Sequence, residues 1–201
     1  MTKIKTHKLF PVPIFEFNIQ NYQDLNTKLE KYIYDLKKKD PKGLMISNSG
    51  GWHSPHFKIG ESEILKDFLK IIYGYLSEII KDEFGWEFKP EKIIIEGMWS
   101  VVNEKNSFNT RHTHPNSVFS AAYYVKAKKN CGDIKFWDPK EVKTMRGSRV
   151  LNLTDLSVET LKFEPEEGKL FIFPSYLHHA VEENLSTEDR IVISFNVDIL
   201  R

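Results

Sequence analysis

The sequence of 201 residues lacks both the cysteine pair that a disulfide needs and the long apolar run that a membrane span needs. Cys131 is the only cysteine, which excludes an intramolecular disulfide and a cysteine-rich zinc site and is typical of a reducing compartment. No apolar run is long enough to cross a membrane, and residues 1–7 lack the apolar stretch of a signal peptide. We therefore expect a soluble protein that is retained in the cytoplasm.

The chain also lacks an excess of charge of either sign. Lysine and arginine total 29 against 28 aspartate and glutamate residues, so the net charge is close to zero. Such a chain has no overall field that would attract nucleic acid or an anionic membrane, and we expect neither as a partner. Its length suits one domain that buries roughly 70% of the surface of its unfolded form.

Two amphipathic helices are predicted in the first half of the chain. Apolar residues recur at helical spacing over residues 25–36, ending before Pro41, and again over residues 64–80. A short apolar segment before them is broken by Pro11 and Pro13, which favours an edge strand.

Short runs rich in β-branched and aromatic residues begin at about residue 92. They cover residues 93–95, 99–102, 118–125, 134–137, 150–153, 170–173 and 191–197. Turn-forming residues separate them, as expected of an antiparallel sandwich or barrel. We predict an α+β fold in a single domain, 1–201, with helical support over about 1–90 and a β core over about 91–201.

Four of the seven histidines form two close pairs in the β-rich half, His112/His114 and His178/His179. Residues two apart in a strand point to the same face, so His112 and His114 can direct both imidazoles at one point. A third ligand would come from a distant strand, which is the pattern of catalytic non-haem iron and zinc sites. The alternative is that these histidines are solvated near strand ends or hydrogen-bonded to the backbone.

A longer pattern surrounds these histidines. It comprises Gly50-Gly51-Trp52 with Ser54, Trp99, Asn103, the segments HTHPNS (112–117), SAAYYV (120–125) and EGKLFIFPSYLHHAV (167–181), and RIVISFN (190–196). In this order and spacing the chain resembles the iron(II)- and 2-oxoglutarate-dependent oxygenases of bacteria and marine phages, over most of its length from about residue 45. The resemblance implies one oxygenase domain with a double-stranded β-helix core (jelly-roll, cupin-like) backed by the N-terminal helices. It also extends the expected location to the host cytoplasm of a phage-infected cell.

The resemblance assigns a role to two residues near the end of the chain. His179 is the distal iron ligand, since the pattern Phe-Pro-Ser, aromatic, Leu, any residue, His ends there, and His178 takes the variable position. Arg190 matches the basic residue that pairs with the far carboxylate of 2-oxoglutarate, which a planar guanidinium can hold with two hydrogen bonds. The alternative for Arg190 is a surface ion pair with Glu188 or Asp189.

Further co-substrate contacts are expected on the strands around Arg190. Strand alternation puts Ser194 on the face of Arg190, so Ser194 is expected to bind the same carboxylate. Asn103, near the end of the strand that precedes the histidines, is expected to contact 2-oxoglutarate. Tyr123 and Tyr124 point in opposite directions, one toward the co-substrate and one into the core, and we assign Tyr123 to the co-substrate.

The proximal iron ligands depart from the usual pattern of the oxygenase superfamily. That pattern is His-any-Asp/Glu, whereas this chain has His112-Thr113-His114-Pro115-Asn116, without a carboxylate two residues after either histidine. In the preferred arrangement His112 and His114 both bind the metal with His179; in the other, His114 binds and Asn116 or water completes the shell. Aspartyl and asparaginyl β-hydroxylases, which the segment faintly resembles, work with two histidines, so the missing carboxylate does not exclude turnover.

The resemblance implies a reaction with iron(II), 2-oxoglutarate and O₂, carried by His112, His179 and Arg190. It would convert 2-oxoglutarate to succinate and CO₂ while hydroxylating a protein side chain or a small molecule. Loops over residues 43–58 and 138–149 are expected to form the cavity mouth, and a homodimer is left open. Two rival interpretations are a three-histidine cupin-like metalloenzyme that does not use 2-oxoglutarate and a non-catalytic jelly-roll binding or structural module.

Overall fold

The computed structural model describes residues 4–140 and 149–200. Helix α1 spans Tyr22–Lys39, and helix α2 spans Glu63–Glu78 and continues as a π-helical segment over Ile79–Glu83. Short 3₁₀ helices lie at Ile59–Glu61 and Pro90–Lys92. The strands are β1 Phe15–Asn18, β2 Asn48–Ser49, β3 Trp52–His53, β4 Ile93–Asn103, β5 Phe108–His112, β6 Phe119–Lys126, β7 Ile134–Trp137, β8 Thr160–Phe163, β9 Lys169–Pro174, β10 His179–Val181 and β11 Arg190–Ile199.

The described strands form two antiparallel sheets. The larger has the order β1-β9-β6-β11-β4-β3, and the smaller has the order β2-β5-β10-β7-β8. Side chains of both sheets line one cavity and share one apolar cluster. This is the double-stranded β-helix predicted from the sequence, with two helices as backing.

The helices cover the outer face of the larger sheet. Residues at odd positions of β6 and β11, such as Tyr123 and Ile193, belong to the same buried cluster as Leu29 of α1 and Phe68 of α2. The helical period of 3.6 and the strand period of 2 thus bring two apolar surfaces together. Each fully buried large apolar side chain stabilises the fold by about 1.5–3 kcal/mol.

The even positions of the same strands face the other sheet. Tyr124 of β6 and Val192 of β11 pack with Phe136 of β7 and with Phe171 and Phe173 of β9 in a smaller cluster. This cluster occupies only part of the space between the sheets. The remainder is the cavity in which the candidate site lies.

Two strand predictions need correction. Residues 150–153 form no strand, and Leu151 and Leu153 are exposed. The strand that pairs with β7 is β8, a largely exposed edge strand of four residues, in which the alternation of Leu161 and Phe163 with polar residues is too short to identify a strand. The predicted runs 93–95 and 99–102 are parts of one strand, β4.

The first 90 residues also contribute three strands to the sheets. β1 pairs with β9 at the edge of the larger sheet, which confirms the edge strand expected near the two prolines. β2 and β3 are two residues long and lie at the edges of different sheets, joined by a glycine turn. Among the described residues, no helix is long and apolar enough to cross a membrane.

Candidate metal and co-substrate site

Three histidines converge at one end of the smaller sheet. His112 ends β5 and His179 begins β10, and the two residues are direct partners in the strand register. His114 lies just beyond β5, where its backbone N–H donates to the carbonyl of Ser175 at 2.9 Å. The ring centroids are 4.3 Å apart for His112 and His179, 5.0 Å for His112 and His114, and 5.1 Å for His114 and His179. One nitrogen from each ring lies within 4.8 Å of the others, close enough for one metal ion.

Backbone carbonyls orient two of the three imidazoles. Nδ1 of His112 is 2.7 Å from the carbonyl oxygen of Thr110, and Nδ1 of His179 is 2.9 Å from that of Leu177. A neutral ring that donates through Nδ1 leaves the lone pair of Nε2 free as a ligand. This hydrogen bond to the second ring nitrogen is the usual support of metal-binding histidines.

Burial keeps the three imidazoles neutral. It lowers the pKa of His114 to about 4, and it also lowers the pKa of His112 and of His179, which is 4% exposed. Since the partly buried rings of His112 and His114 and the buried ring of His179 disfavour a proton, their lone pairs stay available near neutral pH. The cluster therefore has the protonation state that a metal ion requires.

The structure separates the two arrangements considered for the proximal ligands. His112 and His114 both line the cavity with His179. Asn116 is exposed, has a left-handed backbone (φ 69°), and lies outside the lining. The geometry therefore favours three histidines over His114 with Asn116.

Arg190 is fully buried at the start of β11. Its Nη1 donates to the carbonyls of Glu182 at 3.0 Å, Gly132 at 3.2 Å and Cys131. Nε and Nη2 are buried and have no hydrogen-bond partner among the described residues. Buried guanidinium nitrogens are almost always paired, so this edge of Arg190 can take an anion, and its burial excludes a surface ion pair.

Two further donors without a partner in the described part of the chain lie in the same cavity. Asn103 is the register partner of Arg190 on β4, and its Nδ2 is buried without a hydrogen bond. The hydroxyl of Tyr124 is also buried without a hydrogen-bond partner among the described residues. Burial raises the pKa of Tyr124, and the nearby positive charge of Arg190 is the main influence that lowers it. Ser194 also lines the cavity. All four residues line one cavity, and their donors are of the type that can bind a carboxylate.

The assignment of Tyr123 to the co-substrate is wrong. Its side chain points to the helix-covered face, packs on Phe68 and donates its hydroxyl to Oδ1 of Asn26 in α1 at 2.5 Å. Tyr124, one residue further along β6, is the tyrosine that faces the cavity. Alternation along the strand shows that Tyr123 and Tyr124 point to opposite faces of the sheet. It does not show which of these faces the helices cover.

The cavity has a volume of about 350 Å³, within the range of small-molecule sites. Its wall contains every residue predicted for the site except Tyr123, together with apolar side chains such as Val101, Phe173 and Val192. The expected mouth loop 43–58 contributes to the wall, and it includes His53 and His56, neither of which was predicted individually as a site residue. Their signal is weak because β3 is too short to show alternation and His56 follows it in an irregular segment. Most of the other expected mouth loop, residues 141–148, lies outside the described residues.

The donor set fits a metal ion and a dicarboxylate together. Three neutral imidazoles are a ligand set for a divalent transition metal, and the unpaired edge of Arg190 is a site for an anionic group. The fold and this site define a class of metal-dependent enzymes built on the double-stranded β-helix.

Comparison with known proteins identifies the family. The profile of the family described as "Putative 2OG-Fe(II) oxygenase" matches residues 97–196, a segment that contains the three histidines and Arg190. The chain belongs to this family of oxygenases, whose cofactor and co-substrate are iron(II) and 2-oxoglutarate. No curated protein sequence matches the chain.

Solved structures share the fold at low sequence identity. A prolyl-4-hydroxylase from Pseudomonas putida has a TM-score of 0.66 and 14% identity, covering 94% of both chains. A viral collagen prolyl hydroxylase from Paramecium bursaria Chlorella virus-1, a 2-oxoglutarate complex, has a TM-score of 0.60 and 14% identity over 92% of this chain and 94% of that one. HygX from Streptomyces hygroscopicus, with nickel and 2-oxoglutarate bound, has a TM-score of 0.60 and 11% identity over 94% and 83%. These similarities establish the fold.

Proposed function

We propose that this chain is an iron(II)- and 2-oxoglutarate-dependent hydroxylase of a protein side chain or a small molecule, releasing succinate and CO₂. The observation that carries the proposal is the buried Arg190, whose Nε and Nη2 have no hydrogen-bond partner in the described part of the chain and which lines the cavity that holds three converging histidines. A buried cation with unpaired donors is costly unless an anion completes it. Membership of the oxygenase family supports 2-oxoglutarate as that anion.

In this proposal each polar residue assigned to the site holds a defined group. His112, His114 and His179 bind iron(II), and Arg190 binds the far carboxylate of 2-oxoglutarate with help from Asn103, Tyr124 and Ser194. The bound iron and 2-oxoglutarate supply the activation of O₂, which amino-acid side chains cannot perform. The protein supplies position and a cavity with restricted access to water.

The ligand set also affects how the metal and the co-substrate bind. The described lining of the cavity contains no aspartate or glutamate, so three neutral imidazoles leave the double positive charge of the ion uncompensated by the protein. The two carboxylates of 2-oxoglutarate are then the nearest counter-charges. We therefore expect iron and 2-oxoglutarate to strengthen each other's binding, by the same factor in both directions.

The rival three-histidine enzyme without 2-oxoglutarate would share the metal site. It would, however, leave the unpaired edge of Arg190 and the buried donors of Asn103 and Tyr124 without a ligand. A non-catalytic module would leave both sites unexplained. The experiment below separates all three.

The test is an anaerobic titration of the purified protein with iron(II) and then 2-oxoglutarate, following the weak visible charge-transfer band of the chelate. The band is expected in the parent protein, absent in His179→Ala, and dependent on much more 2-oxoglutarate in Arg190→Ala. Glu188→Gln, which changes an exposed carboxylate two residues from Arg190, is the matched control and is expected to titrate like the parent. Absence of the band from the metal-loaded parent would rule out the 2-oxoglutarate assignment and favour the three-histidine alternative. Failure to bind metal at all would favour the non-catalytic module.

A turnover assay then tests the reaction itself. With iron, 2-oxoglutarate and O₂, slow release of succinate without any added substrate is expected from the parent and not from His179→Ala. Mass spectrometry of a stimulating substrate should show a gain of one oxygen atom. A different mass change would leave the oxygenase class intact and overturn hydroxylation.

A further inference from the structure

The segment after β3 is attached along the edge of β4 next to the histidine cluster. Beyond the β3–β4 pairing, the backbone N–H of Ser54 donates to the carbonyl of Ser100 at 2.9 Å, and that of Phe57 donates to the carbonyl of Met98 at 2.6 Å. These bonds hold the segment in place at both ends. They position His53 and His56 on the cavity wall.

Both histidines stack on Trp99. The ring of His53 lies 5.9 Å from the indole at an interplanar angle of 12°, and that of His56 lies 5.7 Å away at 27°. The indole is itself 5.6 Å from His114 of the metal cluster. His53 and Trp99 are 3% and 8% exposed. A continuous aromatic wall therefore leads from the metal site along the cavity.

The fold makes specific room for His56. Gly97 has a left-handed backbone (φ 75°) at the bulge of β4 opposite Phe195 and Asn196. A Cβ at position 97 would lie 2.7 Å from Cε1 of His56 and 3.0 Å from both of its ring nitrogens. The ring thus fills the space that any side chain at position 97 would need, and the bulge and glycine together create its seat.

The wall formed by His53, His56 and Trp99 is suited to an uncharged ligand group. Nδ1 of His53 is 2.7 Å from the carbonyl of Ser54, which leaves Nε2 as a hydrogen-bond acceptor in the neutral ring. Burial lowers the pKa of His53, so the neutral form dominates near pH 7.

Among the described residues of the lining, Arg190 is the only lysine, arginine, aspartate or glutamate. Arg190 is assigned to 2-oxoglutarate. A second charged group entering the cavity would lose its hydration without gaining an ion-pair partner.

We propose that His53, His56 and Trp99 form the prime-substrate subsite, and that it takes an uncharged group bearing an N–H or O–H donor, with His53 as the acceptor. The proposal rests on the proposed function, which places iron and 2-oxoglutarate in the rest of the cavity. The same chemistry can come from a neutral side chain of a polypeptide or from a neutral small molecule. A free amino acid, with its two charges, is excluded by this wall.

The experiment measures how small probes perturb the visible band of the anaerobic iron–2-oxoglutarate complex. The probes are the N-acetyl amides of asparagine, glutamine and serine, their charged counterparts of aspartate and lysine, and free asparagine; a second arm uses nine-residue peptides with the same central residues. We expect the neutral probes to perturb the band at concentrations at least about tenfold lower than the charged ones. Perturbation by peptides alone identifies a polypeptide source, and perturbation by small amides as well identifies a small-molecule-sized subsite.

Two variants test the named residues. In His53→Asp the new carboxylate should make the lysine probe bind at least about tenfold more tightly than it binds the parent, and His53→Gln, which keeps an acceptor, should retain the preference for neutral probes. Gly97→Ala should displace His56 and weaken binding of the neutral probes about tenfold, while the iron–2-oxoglutarate titration keeps its midpoint. If Gly97→Ala does not fold, His56→Ala, which alters an exposed side chain, should show the same weakening of neutral-probe binding.

Failure of this proposal is distinct from failure of the proposed function. An iron–2-oxoglutarate band that forms normally but shows no preference between neutral and charged probes, or is perturbed by none of them, overturns the subsite alone. A parent protein that forms no band overturns the proposed function first.

Discussion

The two faces of the larger sheet differ although the same strands build both. On the helix-covered face, Ile193 and Tyr123 are buried in an apolar cluster, and the hydroxyl of Tyr123 is bonded to Asn26. On the cavity face, Arg190 and Tyr124 are equally buried but keep polar atoms without a partner among the described residues. The first face pairs its polar groups within the chain, whereas the second has buried donors that a ligand could pair. Buried polar atoms without hydrogen-bond partners therefore mark the candidate functional face of the sheet. The helix-covered face, whose polar groups are paired, contributes stability.

The largest expected effect lies on the helix-covered face. Ile193→Ala removes a fully buried side chain and should lower the free energy of unfolding by about 2–5 kcal/mol, and Ile193→Val by about 0.5–1.5 kcal/mol. Urea denaturation measures both. The dissociation constant of 2-oxoglutarate for the folded protein should stay unchanged, and a large change in it would show that the two faces do not act separately.

His179→Ala tests the cavity face at its metal site. Loss of the most buried imidazole of the cluster should weaken iron binding by more than about 100-fold, beyond the effect typical of losing a supporting residue. Competition with a metal chelator measures this, and the thermal midpoint of the metal-free variant should remain close to that of the parent. Parent-like metal affinity in this variant would remove His179 from the ligand set. His114→Asp, which restores the common His-any-Asp pattern, should retain metal and reduce the mutual strengthening with 2-oxoglutarate.

Arg190→Lys tests the anion site with the charge retained. Lysine cannot offer two parallel donors to a carboxylate, so 2-oxoglutarate should bind about 10- to 100-fold more weakly while iron binding without 2-oxoglutarate is unchanged. Calorimetric titration measures both constants. The stabilisation of the metal-loaded protein by excess 2-oxoglutarate should shrink in parallel. Equal affinity in parent and variant would show that Arg190 does not contact the co-substrate.

The adjacent tyrosines are the closest comparison of the two faces. Tyr123→Phe should lower stability by about 1 kcal/mol, because it removes the hydrogen bond to Asn26, and should leave 2-oxoglutarate binding unchanged. Tyr124→Phe should leave stability unchanged and weaken 2-oxoglutarate binding about fivefold, since its hydroxyl lacks a partner within the described chain. Thermal denaturation and calorimetry separate the two. Exchanged outcomes would restore Tyr123 as the co-substrate residue.

A smaller effect is expected from pH on the metal-free protein. The pKa of His114 is about 4 in the fold, against about 6.5 for an unfolded histidine, so the unfolded state binds the proton first. This contribution to stability is complete above about pH 6.5 and is lost as the pH falls toward 4. Thermal midpoints between pH 7 and 4.5 should fall less steeply in His114→Gln than in the parent. An identical slope in the two proteins would show that His114 is not buried in neutral form.

Much of the fold could be predicted because it depends on local periodicity. The helices over residues 25–36 and 64–80 and the strand at 191–197 show clear apolar periods, and the structure confirms them. The runs predicted at 93–95 and 99–102 are strand residues as expected but belong to one strand. The strand expected at 150–153 is wrong: these residues form no strand and their apolar side chains are exposed. Strand β8 was missed because it is four residues long and has only two apolar positions, Leu161 and Phe163.

The candidate site could be predicted where spacing and resemblance suffice. The pair His112 and His114, the distant His179 and the alternation from Arg190 to Ser194 all follow from the sequence, and the structure places these side chains in one cavity. The choice between Tyr123 and Tyr124 failed because alternation assigns opposite faces without saying which face the helices cover.

The sequence by itself determined the periods of the elements, the donor types and their order along the chain, because these depend on neighbours a few residues apart. Only the tertiary structure decided which face became cavity, that Asn116 lies outside it, and that His53 and His56 join Trp99 beside the metal site. Those outcomes depend on pairings between segments that are far apart in the chain. Such pairings are selected by the packing of the whole domain rather than by any local signal.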